Sequence, residues 1–274
     1  MMFRTLITVA MAGLMYIAPV QADGSGRCEK KILSSAQLTN GGKQAARLLQ
    51  ELETKQIKLA VVGRVGSDIS GKGLKYTHAG IVWKNTKTDK WQFTHMLNHC
   101  GKDTAAVYDE GLLKFFLDDP FSYDTSILTF HAAYEDAFRQ QMVNKAYLAF
   151  ADKNYSMIAY PFSTRFINSN QFILEVMASA EAKLRGLQIS SRADAQVFLK
   201  ENGFKGTKIR IYFLESLFGA LFKENVSFSD HPKEEKEVGE YSFVSVRSLG
   251  QYARDRGIAR ELYEIPGIVR MSPQ

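Results

Sequence analysis

Two histidines and one serine have the residue types and spacing for covalent chemistry: His78 in Tyr76-Thr-His-Ala-Gly-Ile-Val-Trp83, His95 in Trp91-Gln-Phe-Thr-His-Met-Leu97, and Ser169 in Asn168-Ser-Asn-Gln-Phe172. The two histidine segments read as strands joined by the polar turn 84–89, and a hairpin sets neighbouring side chains about 5 Å apart on one face. His95 could then hydrogen-bond the His78 ring, select its tautomer and leave the other ring nitrogen facing a nucleophile. Ser169 opens a segment in which Phe172, Ile173, Val176, Met177 and Ala180 recur at helical spacing. A helix N-terminus favours developing negative charge and presents free N–H groups, so a serine there could attack beside its own oxyanion site. Asn168 or Ser169 could equally be only the helix cap, facing outward while one apolar stripe is buried.

Two other clusters lose on geometry. Gly66-Ser-Asp-Ile-Ser-Gly71-Lys72-Gly73 matches a phosphate-binding loop up to Lys72, but Gly73 stands where a Ser or Thr would hold magnesium. The residues after it read as a strand, whereas such a loop needs a helix there; nucleotide binding is not expected. His95, His99 and Cys100 are zinc-ligand types, yet on an extended segment His95 and His99 stand about 13 Å apart, too far for one ion. No metal and no cofactor are expected. His131 reads as a strand-end residue and Asp230-His231-Pro232 as a turn.

The elements that must position these residues read as α+β. Residues 35–55 form an amphipathic helix, 57–63 a strand, 76–83 and 90–97 the hairpin, 111–116 a short helix, 126–130 a strand and 134–151 a long helix. An irregular stretch, 154–165, leads to the Ser169 helix. Beyond it come a serine-capped helix over 191–202, a strand over 208–212 and a short helix over 214–222. Strands at 226–228 and 241–246 flank an acidic loop, and a last helix covers 248–256. Hairpins and segregated helices predict an antiparallel sheet with packed helices rather than a parallel one.

Residues 1–22 read as a secretory signal, with Arg4, an apolar stretch from Leu6 to Val20 and cleavage after Ala22. The expectation is a periplasmic or secreted protein whose residues 23–274 form a single α+β domain. An oxidising compartment permits Cys28 and Cys100 to pair, two free thiols being the alternative. The formal net charge of +6, about +5 without the leader, is spread thinly and without basic runs. That excludes a nucleic-acid arm and fits a solvated surface.

At these residues the chain resembles the circularly permuted papain-like superfamily, which includes NlpC-type cell-wall peptidases and the lecithin:retinol acyltransferase group. His78-Ala-Gly80-Ile-Val resembles that family's histidine strand, His95 falls where the next strand carries the orienting polar residue, and Asn168-Ser-Asn-Gln-Phe172 is similar to the acyltransferase motif Asn-Cys-Glu-His-Phe. The likeness covers about residues 57–180, with a C-terminal elaboration. The chain is also similar to an exported bacterial family of unknown function, number 2145, through Ser227-Phe-Ser-Asp-His-Pro232 to the last helix. The resemblance implies a papain-like fold with Ser169 as nucleophile, His78 as base and His95 as orienter, acting on peptidoglycan peptides or lipids. Tyr76, Tyr160 and Gln171 are candidates for polar substrate contacts.

The departure lies at the nucleophile, where the family's cysteine is Ser169. A thiol ionises readily beside an imidazole, whereas an alcohol must be deprotonated during attack and needs tighter base geometry. A serine hydrolase or acyltransferase and an inactive protein that keeps the cleft for ligand or partner binding both stand.

Overall fold

The computed structural model describes residues 32–118, 120–211 and 225–267. The proposed leader, Cys28 and the short helix expected over 214–222 lie outside them. Six antiparallel strands form the main sheet in the order β4-β3-β2-β1-β5-β8: β1 (Leu59–Val65), β2 (His78–Lys84), β3 (Trp91–Asn98), β4 (Ala105–Glu110), β5 (Ser122–Phe130) and β8 (Ala259–Ile265). A second, two-stranded ladder joins β6 (Thr207–Arg210) to β7 (Glu240–Phe243). This is the α+β architecture expected, with two strands, β4 and β8, that periodicity did not reveal.

Helices cover both faces. α1 (Ser35–Thr54), closed by a capping box between Ser34 and Gln37, and α2 (Leu112–Leu117) pack on one side. There Leu48, Leu52 and Phe116 meet Ala60, Val62 and Phe93. α3 (Ala132–Val143), α4 (Ser169–Leu184), α5 (Arg192–Glu201) and α7 (Val246–Asp255) build the larger core on the other, where Phe138, Phe172, Ile173 and Leu249 meet Leu59, Val61 and Ile81. Strand β1 is therefore buried on both faces, which is why it is a continuous apolar run around Gly63 and Arg64. Each fully enclosed Phe or Ile contributes about 1.5–3 kcal/mol of transfer free energy.

Helix α4 is not the amphipathic helix with one buried stripe that its apolar spacing predicts. Every residue from Ser169 to Ala182 is buried, because α3, α5, α7, β2 and β3 pack around it. Its acidic residues are tolerated because each has cationic partners. Arg192 Nε donates to Glu175 at 2.9 Å, and Gln196 adds a 2.8 Å bond. Glu181 accepts from Arg185, Arg256 and the Tyr252 hydroxyl. A buried carboxylate without such partners would be prohibitive.

Three other segments depart from expectation. The helix expected over 134–151 breaks at Lys145, whose φ of 57° is left-handed, and resumes as a 3-10 turn over residues 146–150. Residues 226–228 form no strand, and the acidic loop after them contains a short helix, α6 (Lys233–Val238). His231 sits in a turn as expected but is buried, its Nδ1 2.9 Å from Glu235 Oε2 and its Nε2 2.8 Å from the Ile158 carbonyl. It ties the C-terminal elaboration to the irregular stretch that leads into α4. No helix among the described residues is long and apolar enough to cross a membrane.

Candidate active site

The hairpin brings the two histidines together diagonally. Ile81 pairs with Thr94, so the register sets Gly80 opposite His95 and His78 two residues further along the same face. Gly80 makes room for this: a Cβ there would lie 2.2 Å from the Phe93 ring and 3.1 Å from His95 Cβ. With that space open, the rings of His78 and His95 approach to 5.2 Å between centroids, and His78 Nε2 lies 3.0 Å from His95 Nδ1.

The serine is supplied by the first turn of α4. Asn168 is the cap, its side-chain oxygen accepting from Gln171 N–H at 2.7 Å. Ser169, relieved of capping, directs Oγ to within 3.1 Å of His78 Nδ1. The two asparagines around it are clamps. Asn168 Nδ2 donates to the carbonyls of Met157 and Val244, and Asn170 Nδ2 to those of Thr77 and Val244. Thr77 precedes His78, so these bonds tie the helix start to the strand that carries His78. Arg192 adds a second clamp by donating to the carbonyls of Thr164 and Phe166 in the lead-in stretch.

Ser169, His78 and His95 thus form one hydrogen-bonded line. Beyond it, His95 Nε2 lies 3.7 Å from Glu110 Oε1, within electrostatic reach but longer than a hydrogen bond. Three residues around the line had no signal in the sequence. Glu110 ends β4; Arg64 stands opposite His78 on β1 and is held by Asp118; Tyr155 lies in the irregular stretch. Burial pushes the Tyr155 hydroxyl up to about 12, an interaction with the Ser169 hydroxyl offsetting part of the rise.

Burial drives the electrostatics. The His78 pKa falls well below its ordinary value through burial first, then through His95 and the Arg64 cation. His95 is lowered, again chiefly by burial, with Glu110 acting in the opposite sense. Burial would raise the Glu110 carboxyl, but the contacts with His95 and Lys114 outweigh it and hold it below the usual range. At neutral pH both rings are uncharged, as a general base must be before it accepts a proton.

Tyr76, Tyr160 and Gln171 lie apart from this line. Among the described residues none makes a side-chain hydrogen bond or ring contact with Ser169, His78 or His95. Tyr76 flanks β2 beside Gly63. Tyr160 packs its ring against Phe162 and His231, and its N–H donates to Asp230. Gln171 is fully buried, its amide donating to the Pro161 carbonyl and Glu175. The stretch Gly66–Gly73 contains a 3-10 turn and leads into β2, not into a helix. His99 Nδ1 bonds Thr104 Oγ1, and no group of three His, Cys, Asp or Glu among the described residues could hold a metal ion. Cys100, in the turn after β3, is disulfide-bonded.

Neither a curated protein nor a solved structure gives a significant match. Residues 51–253, which include both histidines, Ser169 and Glu110, match the family described as "Uncharacterized protein conserved in bacteria (DUF2145)". With most of its length matched, including every residue of the site, the chain belongs to this bacterial family.

Proposed function

We propose that the protein is an exported hydrolase or acyltransferase of the permuted papain-like type, acting on amide bonds of peptidoglycan peptides or acyl bonds of envelope lipids. The observation that carries this reading is the 3.1 Å approach of Ser169 Oγ to His78 Nδ1 at a helix N-terminus. The succession of a His-Xaa-Gly strand, a second strand with an orienting residue and a buried helix led by the nucleophile supports the papain-like part. The apolar leader after Arg4 supports export.

In this reading His78 Nδ1 removes the Ser169 proton as Oγ attacks the carbonyl carbon, and the C–O π pair becomes an oxyanion. The first-turn N–H groups of α4 stabilise it, each such donor being worth about 10²–10³-fold in rate. His78 then returns the proton to the leaving amine or alkoxide as the bond to carbon breaks, and an acyl-serine remains. Water or an acceptor alcohol, deprotonated by the same nitrogen, releases it.

A second reading, a cleft kept only for binding a ligand or partner, draws support from one observation. Burial, His95 and Arg64 all disfavour the His78 imidazolium that serine attack must generate. An acyl-phosphonate probe separates the two. Labelling of the wild type but not of Ser169→Ala supports catalysis, and its substrate class follows from mass spectrometry of labelled peptidoglycan and phospholipids after incubation. No labelling and no product, with retention of peptidoglycan fragments or lipid, supports binding.

A further inference from the structure

We propose that Glu110 is a positioning residue that sets the direction of the Ser169–His78–His95 hydrogen-bond chain, acting through the His95 ring. The proposal rests on the reading of His78 as a base toward Ser169. To accept the serine proton, His78 Nδ1 must carry a lone pair, so the neutral ring holds its proton on Nε2 and donates it to His95 Nδ1. Neutral His95 then holds its own proton on Nε2, the atom that faces Glu110 Oε1 at 3.7 Å.

Two neutral rings in series have only one other arrangement that keeps a hydrogen bond between them. In it both protons move to Nδ1. His95 then turns a lone pair toward a carboxylate, and His78 turns an N–H toward Ser169, which is left without a base. Glu110 penalises this state because it can only accept while ionised. The other groups near His95 are three rings and the mutually engaged Arg64–Asp118 pair, whose charges act on the ring in opposite senses. The rings of Phe93, Phe115 and Tyr108 surround it at 5.1, 6.0 and 6.5 Å, and Asp118 is engaged by the Arg64 guanidinium. His95 Nε2 is buried without a hydrogen-bond partner, so the acceptor it faces is Glu110. Lys114, 3.5 Å from Glu110 Oε2, favours the ionised form. Apo sites often show such long separations and tighten when occupied.

The test is nitrogen-15 NMR of the five histidine rings, assigned with His78→Gln and His95→Gln, in the wild type, Glu110→Leu and Glu110→Gln, alongside thermal melting and phosphonate labelling. In the wild type both rings should carry the proton on Nε2; a His95 proton on Nδ1 overturns the proposal without any variant. Glu110→Leu should populate the Nδ1–H forms and slow labelling by about 10²-fold, the worth of a positioned base. Glu110→Gln, which keeps an acceptor oxygen, should recover the Nε2–H forms in part. Unchanged tautomers in a folded Glu110→Leu overturn the proposal. If the wild type takes no label yet its tautomers reverse in Glu110→Leu, the catalytic reading fails and the role of Glu110 stands.

Discussion

Arg64 stands directly opposite His78 in the β1–β2 ladder, and its enclosed guanidinium is held by the carbonyl and carboxylate of Asp118. Burial, His95 and this cation together hold the His78 imidazole in its neutral form. In the proposed mechanism the same cation raises the cost of the imidazolium that attack would form. The His78 ring is thereby biased toward its neutral form and against its charged one.

Removing one partner of this pair strands the other in the core. Arg64→Met should cost about 3–5 kcal/mol, and Arg64→Met with Asp118→Leu should recover most of it. In the double variant the His78 ring should titrate at higher pH than in the wild type, because the cation is gone. Urea unfolding and ring NMR measure the two effects; a loss in the double variant equal to the sum of the Arg64→Met and Asp118→Leu losses would show that the pair is not coupled.

Acid should destabilise the fold before most carboxylates titrate. Folded His78 and His95 have pKa values below the ordinary 6.5, so as pH falls below that value the unfolded chain takes up protons that the folded one refuses. Stability present above pH 6.5 should decline by up to about 1.4 kcal/mol per pH unit for each ring. Urea unfolding at pH 7.5 and 5.5 checks this, with His95→Gln expected to show a shallower decline. A pH-independent midpoint would refute it.

Gly80→Ala tests the diagonal histidine pair. Its Cβ would meet the Phe93 ring at 2.2 Å, an end of a side chain enclosed in the core. Overpacking of this kind costs about 1–3 kcal/mol, and displacement of Phe93 should carry His95 with it. Loss of phosphonate labelling in a protein that still melts cooperatively is the expected result; normal labelling would mean that the contact can relax harmlessly.

Ser169→Cys asks whether the surroundings still activate a nucleophile. His78 and the α4 terminus should lower the thiol below its ordinary value of about 8.5. The pH dependence of iodoacetamide alkylation reads that value directly. A midpoint at or above 8.5 would mean that burial prevails and that the site does not stabilise an anion.

The chemistry-bearing residues His78, His95 and Ser169 were legible because each lies in a local pattern, a strand, its hairpin partner and a helix start. Glu110, Arg64 and Tyr155 were not. Charged residues such as Glu110 and Arg64 ordinarily face water, and only pairing across the sheet reveals them beside the histidines. Strand β8 escaped notice because its partner, β5, lies more than a hundred residues earlier. The reading of α4 as amphipathic failed for a related reason: Arg192 and Arg256, supplied by later segments, make Glu175 and Glu181 compatible with burial.

By itself, then, the chain determined its α+β class, a helix start at Asn168 or Ser169 and the hairpin that carries both histidines, because these depend on side-chain period and local capping. Tertiary structure alone decided that Ser169 faces one nitrogen of His78 and His95 the other, with Glu110 beyond. Those separations follow from strand register, the space left at Gly80 and the docking of a buried helix by two asparagines, and they join residues too distant in sequence for local preference to specify.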